Sequence, residues 1–588
     1  MRSACTAGLL GLLLDTAQVG AQIGAQVGAQ VGAPTRALSD AVAINQLGYL
    51  PGAAKWVVLP AEAAGEFRVV PLGSDEVVLR GRAGPARRWA MSGTRLRLAD
   101  LSALSTPGDY ELRADGQAPV RLRVAPDAYA ALTAGALKAF YFNRSGTALE
   151  ARHAGPWARP AGHPDTEVLV HASAASAQRP EGTRLSAPKG WYDAGDYNKY
   201  IVNSGISVYT LLAAYEQFPA LFKAQQLNIP ESGNELPDLL DEVLWNLDWM
   251  LAMQDPADGG VYNKLTNLGF DGNVMPHQAR STRYVVAKGS AAALDFAAVM
   301  AQASRVFKPF EAQRPGLSAR LRDAAVAAWQ WARANPQRVY KNPPDVRTGE
   351  YGDSQFGDEF AWAAVELFLS TGDAAYRDTL KLAALPVRVP SWGDVMGLAW
   401  VSLAQHRDQL APADAELVTR RVGEFGQQLA ATWQGSAYRL SMESASDFVW
   451  GSNSQALNQA LMLIQAYRLS GERAQLDAAQ SLLDYVLGRN PLGMSYVTGF
   501  GQRSPMHPHH RPSAADGVDA PVPGFLVGGP NPGQHDQAHC PVRYASQLPA
   551  LSYLDHGCSY AANEVTINWN APLAYVSAAL QALTPPTR

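Results

Sequence analysis

The chain has 588 residues, 47% of them hydrophobic and only 17% charged, with a formal net charge of −4. A chain this long and this weakly charged exceeds one ordinary core and implies a small domain beside a large one with a big buried interior. No basic run argues for nucleic acid as a partner, and no apolar run is long enough to span a bilayer.

Residues 1–38 read as a leader outside the fold. MRSACTAGLLGLLLD has one arginine and a short apolar run interrupted by Asp15, a faint secretory signal peptide. A four-residue AQVG-type repeat follows from Ala17 to Gly32. A secreted or periplasmic protein is expected. Cys5 falls in the leader; Cys540 and Cys558 could pair in an oxidising compartment, but a large core needs no staple, so two free thiols are expected.

Residues 39–125 read as strands. AVAINQL, KWVVL, EFRVVPL, EVVLR, TRLRL, GDYELRA and PVRLRV recur at fairly regular spacing between Gly, Pro and Asp punctuation. Leu96 and Leu98 alternate with Arg95 and Arg97, and Val120, Leu122 and Val124 with Arg121 and Arg123. Period two over short runs predicts half-buried antiparallel strands in a small immunoglobulin-like sandwich.

After Pro126 the apolar period becomes helical, and residues 126–588 form the large domain. Leu236, Leu239, Leu240, Val243, Leu244, Leu247 and Leu251 trace one helical face. Helices are also predicted at 127–142, 205–218, 290–307, 317–334, 358–371, 374–385, 394–406, 414–433, 452–470, 473–488 and 568–584, about twelve in all with almost no strand signal between them. A dozen helices fits six hairpins closed into a double ring, an (α/α)6 barrel, so the chain is mainly α. Long irregular stretches near 155–190, 260–287, 340–356 and 489–565 are candidate functional loops.

Three stretches carry candidate chemistry. GWYDAGDYNKY, residues 190–200, sets Asp193 and Asp196 around Gly195. Two acids this close resist joint ionisation unless a cation or water lies between them, although a surface Asp-Gly turn would look the same. MHPHHRP crowds His507, His509 and His510 beside Arg511; the spacing matches no common zinc pattern and suits hydrogen bonds to sugar hydroxyls or a carboxylate. In YLDHGCSYAANEVTINWNAP, Glu564 stands before a helix start, where a structural charge and a proton donor look alike. Two carboxyls in separate loops are what glycosidic cleavage needs: one to take a proton from water, one to give a proton to the leaving oxygen.

On these motifs the sequence resembles glycoside hydrolase family 9, the cellulases with an (α/α)6 barrel. DAGDYNKY, HPHHRP and the run Tyr553, Asp555, Tyr560, Glu564, Thr566, Asn570, Ala571 match its three signatures in order, and INQLGYLP looks like the immunoglobulin-like domain of one branch. The resemblance implies an inverting β-1,4-glucan hydrolase, an endoglucanase acting on cellulose, soluble β-glucans or cello-oligosaccharides, with exo-acting glucosidase, cellobiohydrolase or glucosaminidase action as the alternative. A non-catalytic carbohydrate-binding protein on the same scaffold is a more distant third. Asp196 would be the base and Asp193 its helper, with the working carboxyls about 6.5–9.5 Å apart. Glu564 would be the acid and Asp555 the support of its loop. His509 and Arg511 would bind the adjacent sugar, Tyr560 belongs to the same motif as a substrate contact, and Trp450 and Trp569 are candidate stacking platforms or core residues. Ser354, Asp358, Glu359 and Asp394 occupy the places of a calcium site found in family members. A zinc site of some relatives loses its thiolates at Ser145 and Gly162, so no zinc is expected, and no organic cofactor. The partner expected is a β-glucan or oligosaccharide, and the state a monomer.

Overall fold

The structure is a computed structural model that describes residues 41–584; the leader expected over 1–38 lies outside the described residues. Seven antiparallel strands form the N-terminal sandwich: β1 (Trp56–Pro60), β2 (Glu66–Pro71), β3 (Leu79–Arg82), β4 (Arg87–Arg88), β5 (Arg95–Asp100), β6 (Gly108–Ala114) and β7 (Val120–Val124). One sheet has the order β1-β5-β4 and the other β3-β2-β6-β7. The alternation reads true in β7, where Leu122 and Val124 are buried between exposed Arg121 and Arg123. AVAINQL, expected as a strand, makes one isolated bridge, Ala43 to Val58. Its side chains serve the barrel instead: Asn45 Nδ2 donates to Asp484 Oδ1 at 2.8 Å, and Gln46 Nε2 to the Gly493 carbonyl at 2.9 Å. The sandwich is bolted to the barrel a second time by Trp89, 1% exposed, whose ring lies 4.4 Å from that of Tyr438 and whose Nε1 donates to Glu443.

Among the described residues eleven helices have ten residues or more. They are α1 (Ala130–Phe142), α2 (Ile201–Gln217), α3 (Asp238–Ala252), α4 (Ser290–Phe307), α5 (Leu317–Ala334), α6 (Gly357–Thr371), α7 (Met396–Gln405), α8 (Pro412–Gly435), α9 (Ser452–Ser470), α10 (Arg473–Val486) and α11 (Ile567–Leu583). Six of them pack in a closed cycle, α2 on α4, α4 on α6, α6 on α7, α7 on α9, α9 on α11 and α11 back on α2. The others lie outside, each against a ring member. Composition follows position. Ring helices such as α4, SAAALDFAAVMAQASRVF, are buried almost all round, whereas outer α8 buries only Val418, Val422, Gly426, Ala430 and Trp433, a single stripe. The helix expected at 374–385 shrinks to Ala374–Arg377 and a single 3-10 turn, so one outer position is nearly vacant of helix.

The connections preceding five of the six ring helices carry the residues of interest. Asp196 precedes α2, Tyr351 precedes α6, Trp392 precedes α7, Trp450 precedes α9 and Glu564 precedes α11. Hydrogen bonds join these connections at one end of the ring: the Ile567 amide donates to the Asp193 carbonyl at 2.9 Å. A small sheet missed by the helical reading braces this end, with strand order Lys199–Tyr200, Lys264–Thr266, Tyr284–Val285, Val168–Val170, Arg184–Leu185. Its strands of two or three residues are too short to show a period.

Candidate active site

Asp193 is 1% exposed and Asp196 6%. Asn203 Nδ2 donates to both oxygens of Asp193 at 2.9 and 3.0 Å, and the Tyr351 hydroxyl to Oδ2 at 3.0 Å. Burial, and then the charge of Asp196, push the Asp193 carboxyl up to about 8, so it holds its proton in the neutral range. Asp196 Oδ2 accepts from the amide of Asn198 at 3.2 Å and from its side-chain Nδ2. Tyr351 was flagged by no motif; its φ of 46° is the left-handed region for a non-glycine residue, strain that marks functional loops and that no residue type announces.

Gly195 lets the aspartate loop meet the histidine loop: a Cβ there would lie 2.2 Å from the His509 carbonyl. Arg511 spans the same junction. Its Nη1 donates to the Gly195 carbonyl at 2.7 Å and its Nε to that of Asp271 at 2.8 Å, so its guanidinium is engaged with backbone. His509 pairs with Glu564 in a short parallel bridge, which sets the Glu564 loop beside the aspartate loop. The His509 ring is held neutral by burial, with Nδ1 2.6 Å from the Gly557 carbonyl; Nδ1 therefore carries the proton and Nε2 is left as an acceptor.

Glu564 keeps some exposure to the cleft as a residue, but burial of its carboxyl is the largest cause holding it well above the usual carboxylate range. The charge of Asp196 comes next, and Arg511 opposes it. Glu564 is thus a neutral acid next to an anionic Asp196. Asp555 ties the two loops together, accepting from the amides of Met506 and His507 at 2.9 Å and from Asn563 Nδ2 at 3.1 Å.

Around Glu564 the surface is aromatic. Trp450, 44% exposed, has ring centroids of His535 at 5.6 Å and Tyr560 at 5.5 Å, and the Tyr560 hydroxyl donates to the His535 carbonyl. Trp569 is a different matter: it is 8% exposed and packed under Gly451 and Gly528, where a Cβ would lie 2.6 and 3.0 Å from its ring. It offers no face to a sugar and is a core residue. The expectation of free thiols is also overturned, for Cys540 and Cys558 are joined by a disulfide, which closes the loop carrying His535 and His539 onto the segment leading to Glu564. The closed segment is mostly exposed between Cys540 and Gln547 and is anchored on the core by Ala550, Leu551 and Tyr553.

The four residues expected around calcium gather only in part. Asp358 Oδ2 accepts from the Val395 amide at 2.8 Å, Asp394 pairs with Arg388 at 2.8 Å, and Ser354 is exposed. Glu359 is buried, its Oε2 has no partner, and the same is true of Oδ1 of buried Asp295 on α4, a residue the sequence reading missed. Burial raises both acids well above the usual carboxylate range, followed by the charge of Asp358 for Asp295 and that of Asp295 for Glu359. Orphaned acid oxygens without a nearby cation suit a divalent ion with oxygen ligands. Among the described residues no three ligand side chains already converge.

Two carboxyls in facing loops, one neutral and one charged, at the mouth of a closed helical ring define a glycoside hydrolase working by acid and base. Residues 129–577 match glycosyl hydrolase family 9, and residues 37–118 match the cellulase N-terminal ig-like domain. The chain belongs to glycosyl hydrolase family 9. It is 44% identical over 558 residues to a xyloglucan-specific endo-β-1,4-glucanase of Bacteroides ovatus, covering 93% of this chain and 94% of that one. It is 31% identical to endoglucanase D of Acetivibrio thermocellus, covering 91% and 83%. A solved Bacteroides ovatus family 9 structure superposes with a TM-score of 0.88 at 43% identity, covering 93% of this chain and all of that one.

Proposed function

We propose that this cellulase-type glycoside hydrolase is an endo-β-1,4-glucanase that inverts the anomeric carbon, with Asp196 as general base, Asp193 as its neutral partner and Glu564 as general acid. The observation that carries the reading is the protonation contrast: Glu564 is raised by burial and by the adjacent Asp196 charge, so a proton donor and a proton acceptor coexist at neutral pH. Glu564 gives its proton to the glycosidic oxygen as the bond to the anomeric carbon lengthens. Water on the opposite face of the sugar, polarised by Asp196, attacks that carbon and leaves its proton on Asp196. The hydrogen bond between Asp193 and Tyr351 fixes the neutral carboxyl so that it orients the water without competing for its proton. His509 Nε2 accepts from a sugar hydroxyl, and Trp450 and Tyr560 stack against the leaving portion of the chain. Arg511 acts mainly on the loops, through Gly195 and Asp271.

The substrate is a β-1,4-glucan, and the identity to a xyloglucan-specific relative supports a branched glucan among those accepted. The test is a side-by-side assay on xyloglucan, carboxymethyl-cellulose and cellohexaose. A fast fall in viscosity with mixed oligosaccharides supports endo action, and release of single small products from chain ends alone contradicts it.

Calcium, held by Asp358, Glu359 and Asp394 with Ser354, and with Asp295 beneath, would neutralise the orphaned acids; Asp394 would leave Arg388 to join. Chelation should then lower the melting temperature, and an unchanged melt removes the site. A monomer exported to an oxidising compartment agrees with the Cys540–Cys558 bridge.

A further inference from the structure

Asp196 has a support that reaches well beyond its own loop. The Asn198 side chain donates through Nδ2 to Asp196 Oδ2. What fixes the direction of that amide is its other end: Asn198 Oδ1 accepts from the Asn267 backbone amide at 2.9 Å, so Nδ2 has to point at the carboxylate. The Asn267 side chain, in turn, accepts through Oδ1 from Arg283 Nη1 at 3.1 Å, and the same Nη1 donates to the Tyr197 carbonyl at 2.9 Å. Arg283 is held by Asp165. Its Nε lies 2.8 Å from Asp165 Oδ1 as an ion pair, while Nη2 donates to Oδ2 at 3.2 Å.

Asp165 also holds Lys199, whose Nζ is 2.7 Å from Oδ2 and donates to the Lys189 carbonyl at 2.6 Å. Lys189 precedes the aspartate loop and Lys199 follows it, so the ammonium closes the base of the loop as Arg283 grips its far arm. Every charged member is buried: Lys199 is 0%, Asp165 5% and Arg283 7% exposed. Asp165 adopts φ 51°, a conformation outside the usual range for its residue type. Buried charges are costly unless paired, and here Lys199 and Arg283 share Asp165 while donating to carbonyls at the foot and the far arm of the aspartate loop.

We propose that Asp165, Arg283 and Asn267 are positioning residues for hydrolysis, setting the direction of the Asp196 carboxylate through the Asn198 amide. None touches substrate. The inference rests on Asp196 being the base, and its test is built to separate the two. Asp196→Ala reports on the base itself; loss of turnover there with unaffected relay variants would sink the relay alone. Asn267→Ala, which breaks the Arg283 link and leaves the ion pair intact, should lower kcat on cellohexaose about ten-fold with KM unchanged, since oriented catalytic groups contribute through geometry. Asp165→Asn should have the larger effect, and Arg283→Lys, which keeps a cation but loses the fork, covers the case in which Asp165→Asn does not fold. A folded Asn267→Ala or Arg283→Lys enzyme with wild-type kcat, or with kcat and KM changed in proportion to a loss of folded protein, overturns the proposal.

Discussion

The two halves of the active site are built differently. The aspartate side is dry and over-determined: Asp193 and Asp196 are almost fully buried and hydrogen-bonded to Asn203, Tyr351 and Asn198. The Glu564 side is open: Glu564 is flanked by exposed Trp450, half-buried Tyr560 and a disulfide-closed loop. In the reaction proposed above the base must hold one water in line with one carbon, and an error of an ångström there is costly. The acid needs only a proton and a partly apolar surround to keep it, and it shares its side with a chain end that must leave.

The sharpest break of this comparison is chemical. Asp196→Ala should reduce kcat by at least about 10³-fold on every substrate, because water activation is needed whatever the leaving group. Glu564→Gln should match that loss on cellohexaose but retain much of the rate on an aryl glycoside whose phenolate leaves without protonation. Equal losses of Glu564→Gln on both substrates would contradict the division of roles. The tryptophans divide along the same line. Trp569→Ala, deep in the core, should cost about 3–5 kcal/mol of stability, measured by denaturant unfolding. Trp450→Ala should leave stability within about 0.5 kcal/mol and raise KM several-fold.

A smaller effect concerns pH. Folded Asp193 holds its proton up to about 8, while the unfolded chain releases it near 3.8. Its contribution to stability is therefore complete below the lower value and is lost as pH rises through the upper one, because the native state binds the extra proton. Asp193→Asn should flatten this fall between about pH 4 and 8 and melt a few degrees above the wild type at pH 8, while losing activity. A steeper fall in the variant would show that Asp193 is not the group responsible.

Much of this was legible in the residues because the chain repeats its physics. Strict alternation in VRLRV and a single apolar stripe in α8 each follow from one buried face, and three motifs with fixed spacing located Asp193, Asp196 and Glu564. Other features were not legible. The helix expected at 374–385 stops at Arg377, although Leu380, Lys381, Leu382, Ala383 and Ala384 beyond it are good helix formers, so its end could not be read from residue type. Trp450 and Trp569 are the same residue type at similar distances from a helix start, and only packing under Gly451 and Gly528 distinguishes core from surface. Tyr351, Asn267 and Asp165 reach the site from loops distant in sequence, so no local pattern points to them. The disulfide needed to be seen in space, since spacing alone allows free thiols equally well.

The central claim is that a buried, charged Asp196 and a neutral Glu564 act on opposite faces of one sugar. The most direct measurement is proton NMR of the first products from a β-linked substrate such as cellohexaose, read before mutarotation. The account predicts α-anomers at the newly formed reducing end. Initial β-anomers would mean that a carboxylate attacks the sugar itself and would contradict it.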